Sequence, residues 1–351
     1  MKRILLAAIP FAFLPATLFA QATTVQTLTD KGNTLFDDGK YIDAIVEYQH
    51  ALYIDSNAPG PNLEMANTYL ALKKYQKAID YCDKIIRLNT SCVDQAYMDK
   101  GSALDMMNEL DAAIQTYKEG IKKYPDNYLL LYNAAFTYFR VNKFDEAAYY
   151  SARAVSANPK HASSHLMLAN SMYQLRKRPQ SVMALYYFLL LEPNSKRSVG
   201  ALQLLNRQRQ AGVSKEGENK IAINIPEKDV HDEFGTVDMI HSCVQALKDG
   251  DKNKDKTEEQ LFYENTELLF KALDETKEKD RSKSVWWETY IPVFHDLLLS
   301  ENTEAFCYSI CAPQNNDLVD KWLTGHKDEV EKFAKWREKY APGGRQGIMF
   351  K

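Results

Sequence analysis

Small and apolar residues recur along residues 94–161 with one spacing, written twice in succession. Tyr97, Gly101, Leu104, Ala113, Tyr117 and Pro125 stand at positions 4, 8, 11, 20, 24 and 32 of a window that opens at Asp94. Leu131, Ala135, Tyr138, Ala147, Ser151 and Pro159 stand at the same positions of the next window, 34 residues on. The spacing predicts two helices per window, A and B. A small residue at position 8 lets helix A approach helix B, where a second small residue at position 20 faces it. Proline at position 32 ends helix B, because it has no N–H to continue the ladder. One such pair cannot bury its own apolar face, so the pattern also predicts stacking of successive pairs.

The phase extends in both directions. Residues 25–58 place Gly32, Leu35, Tyr41, Ala44, Tyr48 and Ala51 at positions 8, 11, 17, 20, 24 and 27, and residues 59–92 place Ala66, Tyr69, Tyr75, Ala78, Cys82 and Ile85 there. Residues 162–195 follow with Ala169, Met172, Ser181, Leu185, Phe188 and Pro193 at positions 8, 11, 20, 24, 27 and 32. Asn62 and His165 make position 4 polar in the second and fifth copies, and Arg178 and Pro179 depart from the pattern where helix B of the fifth begins. Five copies in one phase (25–58, 59–92, 94–127, 128–161 and 162–195) resemble the tetratricopeptide repeat family. The resemblance implies an all-α fold, a right-handed superhelical solenoid of five helix-turn-helix repeats whose concave groove holds partner peptides.

Beyond the repeats, Val199, Leu202 and Leu205 share a face of one more helix, expected over 196–209 as a terminal cap with Arg207, Gln208 and Arg209 polar beyond them. Residues 210–228 turn to Gly, Ser, Lys and Glu and read as a linker with one extended segment, Ile221 to Ile225. Residues 229–340 show no repeat. Their periodicity predicts helices near 237–248, 257–273, 285–299, 303–311 and 318–336, with Pro292 kinking or dividing the third. All four tryptophans, Trp286, Trp287, Trp322 and Trp336, fall here, so a helical domain with its own core is expected.

Lys2 and Arg3 precede an apolar run over 4–20, followed by small residues, which reads as a signal peptide over 1–22 cleaved after Ala20 or Ala22. An uncleaved anchor is the competing reading, but the run is short for a span and broken by Pro10 and Pro15. No later stretch is apolar enough to cross a bilayer, so a mature chain in the periplasm or secreted is expected. With 26% charged residues and a net charge of −3, nothing supports nucleic-acid binding, which would show a basic stripe with interleaved aromatics. The five cysteines do not form a framework; Cys243 could link to Cys307 or Cys311, or all five could be small buried apolar residues.

In the tetratricopeptide family the groove is lined from positions 2, 5, 9, 12 and 13 of helices A. The resemblance therefore points to Thr29, Asn33 and Phe36; Leu63, Asn67 and Leu70; Met98 and Met106; Leu129, Tyr132, Phe136 and Phe139; and Leu166, Asn170 and Tyr173 as partner-binding. Family members that clamp a C-terminal carboxylate use lysine at position 5 before asparagine at position 9. Here Asn33, Asn67 and Asn170 are present, but position 5 holds Thr29, Leu63 and Leu166, so a carboxylate-terminal ligand is disfavoured. The asparagines could instead hydrogen-bond the main chain of an extended segment while aromatics supply contact area. That segment could be internal, with Ile221 to Ile225 or the C-terminal helices folded back on the groove.

Motifs for chemistry are weak. His161 and His165 lie one turn apart without an evident third zinc ligand, and His231, Glu233 and His241 define no geometry. Asp251, Asn253 and Asp255 imitate the start of a calcium loop, but Lys256 stands where glycine should turn the chain and Phe262 where a bidentate glutamate should be. No phosphate loop or nucleophile elbow appears, so no catalytic residue, metal or cofactor is expected. The balance favours a non-catalytic protein-binding scaffold outside the cytoplasm. The alternative is an enzyme, or a carbohydrate or small-molecule receptor, with Trp286, Trp287, His295 or Trp322 in a cleft; self-association through the C-terminal helices is a third.

Overall fold

The computed structural model describes residues 16–89, 91–217, 220–224, 232–247, 253–276, 283–314 and 316–341. They fall into two compact units, Met1–Pro125 and Asp126–Lys351. Among the described residues the fold is all-α apart from one short hairpin.

Unit 1 contains three helical pairs: α1 (Ala16–Asp37) with α2 (Tyr41–Ile54), α3 (Pro59–Ala71) with α4 (Tyr75–Leu88), and α5 (Val93–Met106) with α6 (Leu110–Lys123). Helix A of each pair also lies against the next helix A, so α1 touches α3 and α3 touches α5. Positions 8 and 24 explain the fit. Tyr48 lies flat against Gly32 and Tyr117 against Gly101, so close that a Cβ on either glycine would come within 2.3 Å of the ring. Each hydroxyl then reaches position 9: Tyr48 donates to Asn33 Oδ1 at 2.9 Å, and Tyr117 lies 3.3 Å from Ser102 Oγ. Where position 8 is Ala66, Ala135 or Ala169, position 24 is Cys82, Ser151 or Leu185 instead. The methyl and the ring thus exclude one another.

A second regularity ends each helix A. Position 15 takes the left-handed conformation in all five copies, as Gly39, Lys73, Asn108, Asn142 and Arg176. The next N–H returns to the carbonyl at position 11, as in Lys74 to Tyr69 at 2.8 Å and Glu109 to Leu104 at 2.9 Å. This closes the last helical carbonyls and reverses the chain into helix B.

Unit 2 opens with α7 (Tyr128–Arg140), α8 (Phe144–Ala157), α9 (Ala162–Gln174) and α10 (Arg178–Leu191), the fourth and fifth pairs. Then follow α11 (Lys196–Gln210), the antiparallel hairpin β1 (Val213–Gly217) and β2 (Lys220–Ile223), α12 (Gly235–Ala246) and α13 (Glu258–Thr276). A π-helical turn (Trp286–Tyr290) leads into α14 (Ile291–Leu299), with Pro292 at its first positions, followed by α15 (Thr303–Cys311). Two short helices close the unit, α16 (Asp317–Gly325) and α17 (Lys327–Arg337). The single final helix expected over 318–336 is therefore divided, at His326, whose φ of −119° and ψ of 50° leave the helical region.

The C-terminal helices do not have the separate core expected of them. One cluster of buried residues runs from Val155 and Leu168 through α10 to Trp286, Phe306 and Trp336. The cause is α10 itself, where every residue from Gln180 to Leu190 is buried. A helix apolar on all faces must be enclosed. Tyr186 sits among Phe270 (5.3 Å between ring centres), Phe306 (6.0 Å) and Phe294 (6.4 Å). Thr266 Oγ1 donates to the Phe262 carbonyl at 2.7 Å, so the Tyr186 hydroxyl, 2.7 Å away, donates to Thr266.

Helix α11 is not a solvent-facing cap either, for Gln208 and Arg209 are each only 6% exposed, Gln208 bonded to Ser181 on α10 and Arg209 over the Phe262 ring. A reciprocal box between Ser195 and Ser198 starts it. Arg178, the departure from the repeat, is a tie between elements: its Nε donates to Asp238 Oδ1 on α12 at 2.5 Å, and its other nitrogens reach the Ala211 carbonyl and Ser242 Oγ. The hairpin rests on α12, and with it the described part of the Ile221 to Ile225 segment, through Asn224; Ile225 lies outside the described residues. All five cysteines are free, with Cys243 exposed while Cys307 and Cys311 are buried, so the considered link is absent.

Candidate functional site

The residues expected to hold a partner lie on helices A. In unit 1, Asn33 is partly committed, since its Oδ1 accepts from Tyr48. Phe36 meets the edge of Tyr41 at 5.2 Å and, with Leu70, packs half-buried on the Tyr48 and Tyr69 cluster. Asn67 donates through Nδ2 to Glu64 Oε2 at 3.3 Å. Met106 is 67% exposed, whereas Met98 is 6% exposed and packs inward, so it presents no surface to a partner.

In unit 2 helices α7 and α9 are neighbours. Phe136 is 43% exposed, and Tyr132, Phe139, Asn170 and Tyr173 are half-buried. Tyr132 meets His161 edge-on at 5.1 Å, and Phe139 meets Phe144 at 5.2 Å.

Charge near these residues was not foreseen. Asp99, at position 6 of the third copy, is buried and receives a hydrogen bond from Gln95 Nε2 at 2.9 Å. Burial pushes its carboxyl up to about 6, and the charge of Glu64 adds to the rise, against the Gln95 bond. Asp105, at position 12, is buried as well. In unit 2, Arg197 from α11 donates to Ser163 Oγ at 2.9 Å and is paired with Glu192. Burial, and secondarily Arg197, lowers the pKa of His161, which lies edge-on to Tyr128 and Tyr132 with Nδ1 2.7 Å from Ser164 Oγ. The groove positions carry polar neighbours as well as apolar ones.

Residues 63–128 match the family model of the tetratricopeptide repeat. This stretch carries the tetratricopeptide repeat. Over 105 residues it is 30% identical to Hsp70-Hsp90 organizing protein 3 of Arabidopsis thaliana, covering 30% of this chain and 19% of that one. Over 101 residues it is 32% identical to RNA polymerase II-associated protein 3 of Homo sapiens, covering 29% and 15%. The chain thus spans less than a fifth of the length of these curated relatives. Among solved structures it is similar to Pseudomonas aeruginosa PilF, with 16% identity over 54% of this chain and 90% of that one at a TM-score of 0.45.

Packing and hydrogen bonds account for several of the residues with candidate chemistry. His165 is fully buried: its Nε2 donates to the Pro159 carbonyl at 2.8 Å, so Nδ1, 2.8 Å from the Tyr290 hydroxyl, accepts from it. With Tyr187 stacked on the ring at 4.2 Å, burial pushes the imidazole down to about 3. Both nitrogens are used, which removes His165 as a zinc ligand. Among the described residues no group of three His, Cys, Asp or Glu is placed to hold a metal. His231 and Asp251 lie outside them; Glu233 accepts from Trp287 Nε1, and Asn253 caps α12 by donating to the Leu247 carbonyl at 3.0 Å.

The tryptophans do not share a pocket. Trp286 and Trp336 are buried in the core, and Trp336 Nε1 donates to Asp296 at 2.9 Å. Trp287 stacks on Phe234 at 5.6 Å. Trp322 lies between Tyr308 at 4.2 Å and His326 at 4.4 Å, and donates to Glu304 at 3.2 Å. His295 faces Asp274 at 2.8 Å. This leaves the enzyme or carbohydrate-receptor reading without the open aromatic cleft that motivated it.

Proposed function

We propose that the chain is a non-catalytic scaffold that holds an extended or helical segment of a partner protein against helices A. The observation that carries the reading is the exposure of Phe136 and Met106 at positions 9 and 13, large apolar side chains that no described part of the chain covers. Tyr132 and Phe139 flank Phe136 on the same helix and supply rigid contact area. Tetratricopeptide repeats mediate protein–protein interaction, and two relatives carry that sense in their names. A chaperone-type carboxylate is not the proposed ligand, because position 5 offers Thr29, Leu63, Met98, Tyr132 and Leu166 and no lysine.

The reading places the chain in the periplasm or outside the cell after removal of residues 1–22. Support comes from the charged start, apolar run and small residues of that segment, and among the described residues no helix is long and apolar enough to cross a membrane. Intact mass of the exported chain tests it; a product that begins at Met1 refutes cleavage. Binding is tested by crosslinking and capture with the mature chain and with Tyr132, Phe136 and Phe139 changed together to alanine. Loss of specific captured proteins is expected, and an unchanged set moves the site away from α7.

A further inference from the structure

Four positions of helix B differ between the ends of the series and its middle. Positions 18, 22, 25 and 29 hold Gln76, Asp80, Asp83 and Arg87 in the second copy and Asp111, Gln115, Lys118 and Lys122 in the third. In the fourth they run from Asp145 through Tyr149 and Ala152 to Ser156, and in the fifth they are Pro179, Met183, Tyr186 and Leu190. Met183, Tyr186 and Leu190 are buried in the core shared with the C-terminal helices. The first copy resembles the fifth and not its neighbours, for it carries Ile42, Val46, Gln49 and Tyr53 there. No described residue covers them: Ile42 is 60% exposed, Val46 42% and Tyr53 92%. An apolar face in a row that is otherwise polar marks a surface that something else covers.

Spacings of four, three and four put these side chains on one face of α2. The face is its own complement. Ile42 with Tyr53 and Val46 with Gln49 share one midpoint along the helix, so a second α2 laid antiparallel across it sets Ile42 against the second copy's Tyr53 ring and Val46 beside its Gln49. The flank is complementary in charge as well. Asp43 and His50, seven residues apart, lie on the same side of the face, and both are exposed. Like flanks meet in an antiparallel helix pair, so the Asp43 carboxylate of each copy comes beside the His50 imidazole of the other, which donates to it. A parallel arrangement turns both residues toward the opposite flank and forgoes that pair. Within its own chain His50 Nδ1 lies 3.9 Å from Glu47, whose other oxygen Lys31 holds at 2.7 Å.

We propose that α2 is a self-association surface, across which two copies of the chain pair antiparallel about a two-fold axis. The contact is smaller than the roughly 20–30 residues a side of a standard interface, so the dimer is weak and depends on concentration. The surface belongs to a helix B and does not rest on the groove reading; the triple alanine variant of α7 should dimerise as the native chain does.

Sedimentation velocity of the mature full-length chain over roughly 1–500 µM tests it. The average mass should rise with concentration from one chain toward two. Tyr53→Glu and Ile42→Glu, at positions already in solvent, should each raise the dissociation constant by about tenfold or more with the helical circular dichroism unchanged. His50→Glu, which sets two carboxylates side by side, should raise it about fivefold, and adding Asp43→Lys should return it to within about twofold of native. A chain that stays monomeric at the highest concentration overturns the proposal. So does a dimer that a folded Tyr53→Glu variant leaves intact, because it forms through another surface. Failure of Asp43→Lys to reverse the effect of His50→Glu excludes the antiparallel pairing and also overturns it.

Discussion

Gly101→Ala tests the argument that positions 8 and 24 of a repeat exclude one another. A Cβ on Gly101 would stand 2.3, 2.5 and 2.8 Å from three atoms of the Tyr117 ring, where contact normally begins near 3.4 Å. The ring would have to retreat by about an ångström, yet Tyr117 is 2% exposed and boxed in. Overpacking of this kind costs about 1–3 kcal/mol, while alanine gains about 1 kcal/mol over glycine inside a helix. The net expectation in the native background is a loss of up to about 2 kcal/mol. With Tyr117→Cys, the pairing found at Ala66 and Cys82, the obstruction disappears and only the helical gain remains. The same Gly101→Ala change should then stabilise by about 1 kcal/mol, although Tyr117→Cys alone is costly through the cavity it leaves. Urea unfolding of the four members of the cycle, followed by far-ultraviolet circular dichroism, reads both effects. An effect of equal sign and size in the two backgrounds refutes the exclusion.

Other expectations follow from features in each unit. Asp99 carries a carboxyl raised from 3.8 to about 6 when folded, so between those pH values native unit 1 holds a proton that the unfolded chain has released. Its contribution is fully present below pH 3.8 and declines as pH rises through 6, by on the order of 2–3 kcal/mol; Asp99→Asn should flatten that decline in urea midpoints read by circular dichroism, and an unchanged profile removes Asp99 as its source. Lys73 has φ of 58°, a conformation glycine adopts without strain, so Lys73→Gly should stabilise by several tenths of a kcal/mol, and a clear loss in urea midpoint would contradict the turn assignment. Ending the chain after Arg209 strips the cover from Tyr186 and its neighbours on α10, each fully buried large side chain being worth about 1.5–3 kcal/mol. Such a chain should bind an apolar-surface dye strongly, and a dye signal like that of the full chain would show that α10 does not need the C-terminal helices.

The repeats were legible because their signals are local. Gly101 and Ala113 lie on facing helices a dozen residues apart, and five windows repeat the phase. The enclosure of α10 had a signal as well, the run Val182 to Leu191, apolar on every side of a helix; the expectations of a capping helix and of a separate core took no account of it. Other features had no local trace. His165 meets Tyr290 across 125 positions and Arg178 meets Asp238 across 60, and neither pairing has a periodicity to betray it. The groove was counted by position, which picked out Phe136 and Met106, both exposed, together with Met98, which is buried. That counting skipped position 6, where Asp99 stands, and could not anticipate that Tyr48 engages Asn33.

The wrapped state of α10 has a bearing on how long the array can be. A stack of modules lengthens by tandem duplication most easily where its last face stays open to receive another copy. Here that face is occupied by aromatic side chains from Phe270, Phe294 and Phe306, so a sixth hairpin inserted after Pro193 would have to displace them and re-create their seat on its own second helix. The number of modules on this side is thereby set by geometry, and any expansion of the series has to occur upstream of the fifth.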